Sequence, residues 1–405
     1  MKSQAAAGRG HKPDYLLALT VFLLLGIGLI MIYSISPVLS FKLLGSTSRN
    51  YYFYGQLGNI AVGLFFWALA SQIHYRVWQK WSPLLIAGAA IALLGLVVPG
   101  LSFSTNGATR WLKLGPASFQ PAELLKLSLI VYLAAWFERR GQYIREFWEG
   151  LFPFSIMLAV ASFVVVVLQR DMGTMMVLVL AAIGMFYAAG SKLRHVFSIV
   201  AGGAMLGWLA IVTFPHRLSR LTVFLDPSKD PSGQGYHISQ ALIAIGSGGL
   251  LGVGLGHSIQ IYGYLPEAAN DSIFAVIGEE FGLIGCLVII GLFGFLVYRG
   301  LQIAKSAPDS FSRLTAIGIS LWLLFQALIN IAAMLSLLPL TGIPLPFISY
   351  GGSSLVFSLV GAGILLNISK YTVKEVSDAN SRVGRRNGWS YFANTGNGRR
   401  VKAAR

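Results

Sequence analysis

The sequence predicts an all-α integral membrane protein with about ten transmembrane helices and a large extracytoplasmic loop between helices 7 and 8. Of the 405 residues, 55% are hydrophobic and 11% are charged, and the mean hydropathy of +0.67 excludes an ordinary soluble domain. Apolar segments that approach the roughly 17–25 residues needed to cross a bilayer recur along the chain. We place them at residues 16–33, 57–70, 84–98, 122–137, 151–168, 172–189, 196–214, 272–297, 314–338 and 348–368.

Basic residues set the predicted orientation. Most of the 31 lysines and arginines lie in the N-terminal segment, in every second loop and in the C-terminal tail. Because cytoplasmic loops of membrane proteins are rich in Lys and Arg, both termini are predicted to be cytoplasmic. The net charge of +16 then reflects topology and attraction to membrane lipid, and it does not indicate a nucleic-acid partner.

Three parts of the chain follow from this pattern. They are a basic cytoplasmic segment (1–13), a membrane domain (14–370) whose extracytoplasmic loop covers about 215–270, and a basic tail (371–405) whose composition predicts disorder. Cys286, the only cysteine, lies inside an apolar segment, so no disulfide framework is expected. No small-residue cleavage site follows Tyr33, and we therefore interpret the first apolar segment as an uncleaved helix.

The functional interpretation depends mainly on the stretch around Asp271. A polar loop that carries Glu267 and Asp271 runs directly into the apolar segment that begins at residue 272. Carboxylates at or below a membrane surface are costly, so each needs a specific reason to be there. Two interpretations of Asp271 stay open: an acid that caps the following helix, or a catalytic carboxylate at the mouth of a membrane cavity.

A second polar cluster precedes the fourth helix. Pro121 suits the first helical position, with Gln120 before it and Glu123 in the first turn. Glu123 and Lys126 are three residues apart, so they share one helix face and can form an ion pair. The alternative is that Lys126, with Arg110 above it, forms a cationic surface where an anionic group docks.

The long loop at 215–270 is not a simple polar linker. Residues 236–245 have amphipathic helical spacing, and a glycine-rich run follows at 246–256. The run lacks the lysine of a phosphate loop and the preceding strand of a dinucleotide turn. The histidines of the loop match no metal-ligand spacing (His216, His237 and His257). The sequence therefore requires no cofactor, and it leaves the participation of a divalent cation open.

The polar residues without a routine explanation all fall near the predicted outer surface. Transporters usually hold their substrate near the middle of the membrane, and only Glu279 and Glu280 lie well below Asp271. A one-sided cavity with cations and a carboxylate favours an enzyme that acts on an anionic, lipid-linked substrate. Transport and a non-catalytic scaffold are the alternatives.

These residues resemble the SEDS family (shape, elongation, division and sporulation), which are ten-helix bacterial peptidoglycan polymerases. The resemblance extends over nearly the whole chain, from the first helix to Tyr371, and its motifs lie at 110–126, 244–249, 264–268, 271–280 and 344–354. Within the family, residues 254–258, 266–268 and 277–280 resemble the septal FtsW branch more than the elongation RodA branch. Ala269 and Ser272 depart from the residues common in the family.

The resemblance implies a glycosyltransferase that polymerises lipid II, the undecaprenyl-pyrophosphate-linked disaccharide-pentapeptide, on the outer face of the bacterial cytoplasmic membrane. Asp271 matches the catalytic aspartate of the family. The substrate-binding residues that we expect are Arg110, Gln120, Glu123, Lys126, Gln240, Glu267 and Ser353.

Partners and place in the cell also follow from the resemblance. A class B penicillin-binding protein transpeptidase and other divisome proteins are the expected partners, at the division septum. A lipid II flippase and an elongation-type polymerase are the alternative functions.

Overall fold

The computed structural model describes residues 11–44, 50–98, 100–105, 108–114, 117–213 and 221–372. Within these ranges the chain forms eleven helices of 14 residues or more. They are α1 (Tyr15–Leu44), α2 (Tyr51–Gln72), α3 (Tyr75–Leu94), α4 (Pro121–Arg140), α5 (Phe152–Leu168), α6 (Met172–Ala188), α7 (Leu193–Thr213), α8 (Gln234–Ser247), α9 (Ile273–Lys305), α10 (Ser310–Met334) and α11 (Gly352–Ser369).

Ten of these helices correspond to the predicted membrane spans, so the all-α membrane fold is confirmed. Among the described residues, α1, α2, α3, α5, α9, α10 and α11 are long and apolar enough to cross a bilayer, and α6 and α7 are shorter apolar helices. Helix α4 is the tenth; it is largely buried, and its charged residues lower its hydropathy. The remaining helix, α8, lies in the long loop where amphipathic spacing predicted a helix.

Two helices form the centre of the bundle. Helix α10 packs against α9, α6 and α4, and α11 packs mainly against α2. Trp322 on α10 is fully buried, and Gly361 on α11 allows the two helices to approach at its ring, because a Cβ there would lie 3.1 Å from the indole. The outer helices keep apolar side chains exposed, as a lipid-facing surface requires.

The connection between α3 and α4 contains a small sheet that the sequence analysis did not predict. Strands β1 (Ser102–Thr105), β2 (Ala108–Leu114) and β3 (Ala117–Phe119) are antiparallel in that order. Leu112 on β2 is opposite both Ser102 and Phe119. The sheet places Arg110 above the start of α4.

Helix α9 is broken at Gly282, and the glycine-rich run supplies hydrogen-bond partners to the backbone groups at the break. Gly282 has φ +63° and ψ −160°, so the helical hydrogen bonds around it are lost. The carbonyls of Glu279 and Glu280 accept from the amides of Val253 and Gly254, both at 3.0 Å. On the other side of the break, the amides of Leu283 and Ile284 donate to the carbonyls of residues 249 and 250. Backbone groups at membrane depth must find protein partners, and the loop supplies them.

Glycine is required where this loop touches α9. A Cβ on Gly252, which has φ +82°, would lie 2.1 Å from the carbonyl oxygen of Glu280. A Cβ on Gly248 would lie 1.9 Å from that of Gly278. These contacts are closer than any side chain permits, so the composition of the run follows from its packing.

Most of the two terminal segments lie outside the described residues. Met1–Thr372 forms one compact unit, which contains all of the helices above. The second unit, Val373–Arg405, lies outside the described residues. The extents given for the N-terminal segment and for the tail stay predictions.

Candidate active site

Asp271 does not cap helix α9. The N-cap residue is Ser272, and no side chain makes a capping hydrogen bond there. Instead, the backbone carbonyl of Asp271 accepts a 2.7 Å hydrogen bond from the Nδ2 of Asn330 on α10. The carboxylate is buried, and its Oδ1 has no hydrogen-bond partner among the described residues. Asp271 is therefore not the N-cap residue that one interpretation predicted, and the fold leaves its buried Oδ1 unsatisfied.

The surroundings of Asp271 suit a base at neutral pH. Burial raises the pKa of Asp271 to about 7, and the negative charge of Glu267 acts in the same direction. Glu267 is exposed, has a left-handed φ of +49°, and accepts a 2.5 Å hydrogen bond from Asn270. A pKa near the working pH is the most effective value for general acid–base catalysis.

Three side chains at helical spacing on α10 connect the parts of the site. The Nδ2 of Asn330 also donates to the carbonyl of Ile343 at 2.8 Å, so it ties the 341–351 loop to Asp271. One turn earlier, the Nε2 of Gln326 donates to the carbonyl of Pro344 at 3.0 Å. The Oε1 of Gln326 accepts from the indole of Trp322 at 2.8 Å. Helix α10 thus fixes both the loop and Asp271.

Lys126 and Glu123 form the ion pair that their spacing predicts. The Nζ of Lys126 lies 2.9 Å from the Oε1 of Glu123, with 0% and 1% of the two side chains exposed. Lys126 also donates to the Oε1 of Gln326 at 2.7 Å and lies 5.3 Å from the Trp322 ring centroid. The expected cationic surface is therefore not open at Lys126, whose charge is neutralised inside the protein. Its role toward an anionic substrate stays a prediction.

Arg110 is half-buried on β2 and contacts the turn between α5 and α6. It donates to the carbonyls of Gln169 and Arg170, both at 3.1 Å. This turn packs on the 341–351 loop, because a Cβ on Gly173 would lie 2.9 Å from the Cβ of Thr341. The next residue of that loop, Gly342, lies beside the carboxylate of Asp271: a Cβ on it would be 3.7 Å from Oδ2. A continuous set of contacts thus links Arg110 to Asp271.

The α5–α6 turn also contains a capping residue. Asp171 is the N-cap of α6, and its Oδ1 accepts a hydrogen bond from the amide of Thr174 at 2.9 Å. The first turn of α6 is thus stabilised by a local side-chain hydrogen bond.

Gln120 and Ser353, two further predicted site residues, are in direct contact. Gln120 is the N-cap of α4, with Pro121 at the first helical position as the sequence predicted. Its amide donates to the Oγ of Ser353 at 3.1 Å, and both residues are buried. This hydrogen bond joins the starts of α4 and α11.

Helix α8 brings a histidine to the edge of the site. The Nε2 of His237 is hydrogen-bonded to the Oγ of Ser272 at 2.6 Å, and the same hydroxyl lies 2.9 Å from the carbonyl oxygen of Pro266. Burial lowers the pKa of His237, which keeps the imidazole neutral at pH 7. Gln240 lies one turn further along α8, half-buried, and no described hydrogen bond joins it to Asp271.

Several buried polar atoms around the site lack partners. They include the Oδ1 of Asp271, the Oε2 of Glu123, both amide atoms of Gln169 and the Oγ1 of Thr341. Buried polar groups are normally hydrogen-bonded, so such a set indicates a place for ligand or water. Among the residues that the structure describes, no three His, Cys, Asp or Glu side chains are close enough to hold a metal ion.

The sequence analysis missed Asn330 and Gln326, which carry most of the connecting hydrogen bonds. A signal was available, because two amides four residues apart in an apolar helix lie on one face and need polar partners. Apart from Trp322, four residues before Gln326, their partners are 13 to 200 residues away in the chain, so spacing alone could not identify them.

The fold and the site define a multi-pass membrane protein in which the residues of the candidate site lie at one end of the bundle. They lie where α4, α6, α9 and α11 begin and α10 ends. The family model FTSW_RODA_SPOVE, described as "Cell cycle protein", matches residues 15–374. The chain therefore belongs to the FtsW/RodA/SpoVE family, and the resemblance to SEDS proteins is confirmed.

Individual relatives are similar in sequence to this chain over most of its length. A probable peptidoglycan glycosyltransferase FtsW from Geobacter sp. is 39% identical over 88% of this chain and 96% of its own length. Stage V sporulation protein E from Bacillus subtilis is 39% identical over 89% of this chain and 98% of its own length.

Solved structures share the fold. A chain of a peptidoglycan synthase complex, described as coordinating polymerization and crosslinking, matches with a TM-score of 0.71 and 26% identity over 90% of this chain and 99% of its own. RodA of Thermus thermophilus matches with a TM-score of 0.63 and 25% identity over 90% of this chain and 98% of its own.

Proposed function

We propose that this protein is a peptidoglycan glycosyltransferase that polymerises lipid II into glycan strands at the outer face of the cytoplasmic membrane, in septal wall synthesis. One observation carries the proposal. Asp271 is a buried carboxylate whose Oδ1 has no partner among the described residues, and burial raises its pKa to about 7. The FtsW relatives, named as probable peptidoglycan glycosyltransferases, support the reaction class.

Asp271 is the general base in this proposal. It removes the proton from the acceptor sugar hydroxyl while that oxygen attacks the anomeric carbon of the donor. The new glycosidic bond forms as the bond from the anomeric carbon to the polyprenyl pyrophosphate breaks. The proton ends on Asp271, and the electron pair leaves with the pyrophosphate.

Arg110 and Lys126 stabilise the leaving pyrophosphate in this proposal. Arg110 lies at the edge of the site and is half-exposed. Lys126 is paired with Glu123 in the structure, so it reaches the pyrophosphate only when that pair opens. Charge stabilisation of this kind is among the largest contributions to catalysis.

The other predicted site residues would bind the sugars and peptide of lipid II. Gln120 and Ser353 join the starts of α4 and α11 through their shared hydrogen bond. The Oε2 of Glu123 has no hydrogen-bond partner among the described residues. Glu267 and Gln240 add polar groups from the long loop.

The pH dependence of polymerisation tests the raised pKa of Asp271. The base must be ionised, so the rate should fall as pH drops below about 7. Glu267→Gln removes the charge that helps to raise this pKa. The acidic limb of the curve of polymerisation rate against pH should then move to lower pH. The measurement is the initial polymerisation rate of purified protein between pH 5 and 9.

Glu149→Gln is the matched control for this measurement. Glu149 is an exposed acid in the connection between α4 and α5, at the opposite end of the bundle. Its neutralisation should leave the acidic limb where it is. An unshifted limb in Glu267→Gln would contradict the electrostatic coupling between the two acids.

Transport of lipid II is the weaker alternative. Its support in the sequence was the depth of Glu279 and Glu280. Glu279 accepts hydrogen bonds from the amide of Ile259 at 2.8 Å and from the hydroxyl of Ser258. Glu280 accepts from Ser34 at 2.6 Å and from the amide of Gly256 at 3.0 Å. Both acids anchor the glycine-rich loop, which removes the main reason to place them on a transport path.

A class B penicillin-binding protein is the proposed partner, together with other divisome proteins. The match to a chain of a peptidoglycan synthase complex that combines polymerization with crosslinking supports a partner of this kind. A polymerase and a crosslinking enzyme act on the same strands, so their association is chemically reasonable.

We also propose that both termini are cytoplasmic and that the loop containing α8 is external. Basic residues support this orientation. A cysteine at Ser232, in a Cys286→Ala background, should react with an impermeant maleimide in intact spheroplasts. Reaction only after permeabilisation would reverse the orientation.

A further inference from the structure

We infer that a cavity at the end of the bundle opposite Asp271 binds the phosphate head group of an anionic phospholipid. The cavity has a volume of about 380 Å³. It lies between the end of α4, the end of α6, the start of α10 and the connection between α4 and α5. Its size is in the range of small-ligand sites.

Two arginines give the cavity its charge. The Nε of Arg145 donates to the carbonyl of Gly190, which also lines the cavity, at 3.1 Å. This hydrogen bond holds the side chain in place, while its two terminal nitrogens make no hydrogen bond or ion pair within the described part of the chain. Arg313 is exposed on the first turn of α10 and forms no ion pair with any described residue. Guanidinium groups suit phosphate, because their planar donors match its oxygens.

The lining contains two arginines against one acid, Glu138, so its net charge is positive. Both oxygens of Glu138 accept hydrogen bonds: one from the side chain of Gln79, the other from the amide of Phe311 at 3.4 Å. Asp309, just before α10, is likewise held by the hydroxyl of Tyr75 at 2.9 Å. The arginines are therefore the groups available to an anion.

Exposed aromatic side chains identify the source of that anion as lipid. In the connection between α4 and α5, Tyr143, Phe147 and Trp148 are 48%, 51% and 73% exposed. Trp148 also lies against Phe152, with ring centroids 5.4 Å apart. Tyr and Trp concentrate at the membrane–water interface. The cavity mouth thus lies at head-group level, and basic pockets between transmembrane helices bind anionic head groups.

Native mass spectrometry of the full chain in detergent tests this site. The probes are dioctanoyl phosphatidylglycerol, dioctanoyl phosphatidylcholine and sn-glycerol 3-phosphate. Wild type should bind phosphatidylglycerol in preference to the other two. Each basic side chain at a membrane surface contributes about a factor of five in affinity, so Arg145→Gln with Arg313→Gln should weaken binding roughly 30-fold.

A matched pair of substitutions separates the cavity from general surface charge. Lys192→Gln with Arg194→Gln removes the same charge from exposed positions at the start of α7 that do not line the cavity. This variant should retain most of the binding, and both variants should unfold at the wild-type temperature without lipid. An equal loss in the two variants would overturn the cavity assignment. Equal binding of phosphatidylcholine or of glycerol phosphate would overturn the assignment to an anionic lipid.

Discussion

Asp271→Asn should reduce glycan polymerisation by about 10²–10⁴-fold, because the amide cannot accept the proton from the acceptor hydroxyl. The variant should fold at least as stably as wild type at pH 8. The folded state raises the pKa of Asp271 from 3.8 to about 7, so it disfavours the ionised acid. That cost to stability appears as pH rises from about 4 to 7 and is complete above 7, and Asn carries none of it. The measurements are polymerisation of lipid II and thermal unfolding of the purified variant.

Asp226→Asn is the control for this substitution. Asp226 begins a short helical turn in the long loop, and its Oδ1 accepts from the amide of Ser228. Asn caps about as well as Asp, so polymerisation should stay near the wild-type rate. A similar loss in both variants would point to the loop's structure and away from the chemistry of Asp271.

Lys126→Met should destabilise the protein by about 3–5 kcal/mol, because it leaves the buried carboxylate of Glu123 without its cation. Adding Glu123→Gln removes that charge and should recover most of the stability. If Lys126 also binds pyrophosphate, as proposed, the folded double variant should still fail to polymerise lipid II. The free energy of unfolding and the polymerisation rate are measured on the same preparations.

An exposed pair with the same spacing provides the control for Lys126. Lys229 lies 3.7 Å from Asp226, three residues earlier, with 58% and 46% of the side chains exposed. Exposed ion pairs contribute about 0–1 kcal/mol, so Lys229→Met should change stability little. Full polymerisation by the Lys126 and Glu123 double variant would confine Lys126 to a structural role.

Local features of the site could be predicted from the sequence. The Glu123–Lys126 ion pair depends on a three-residue spacing, and the Asp171 cap on the residue before a helix. Pro121, which suits the first position of a helix, marked the start of α4. Each feature is decided within one turn of helix, where neighbours along the chain are also neighbours in space.

Features that depend on distant partners could not be predicted. The backbone carbonyl of Asp271 accepts its hydrogen bond from Asn330, which is 59 residues away in the chain. The burial of Lys126 depends on Gln326, 200 residues away. The break at Gly282 is tolerated only because the glycine-rich loop supplies hydrogen bonds to both sides of it. Spacing cannot identify such pairs, although a polar residue in an apolar helix indicates that a partner exists.

The assignment of lipid II polymerisation can be tested most directly with purified wild-type protein in liposomes that contain lipid II and the penicillin-binding partner. The account predicts long glycan strands when wild type is present and none when Asp271→Asn replaces it. Movement of intact lipid II across the bilayer, without strands and unaffected by Asp271→Asn, would contradict it.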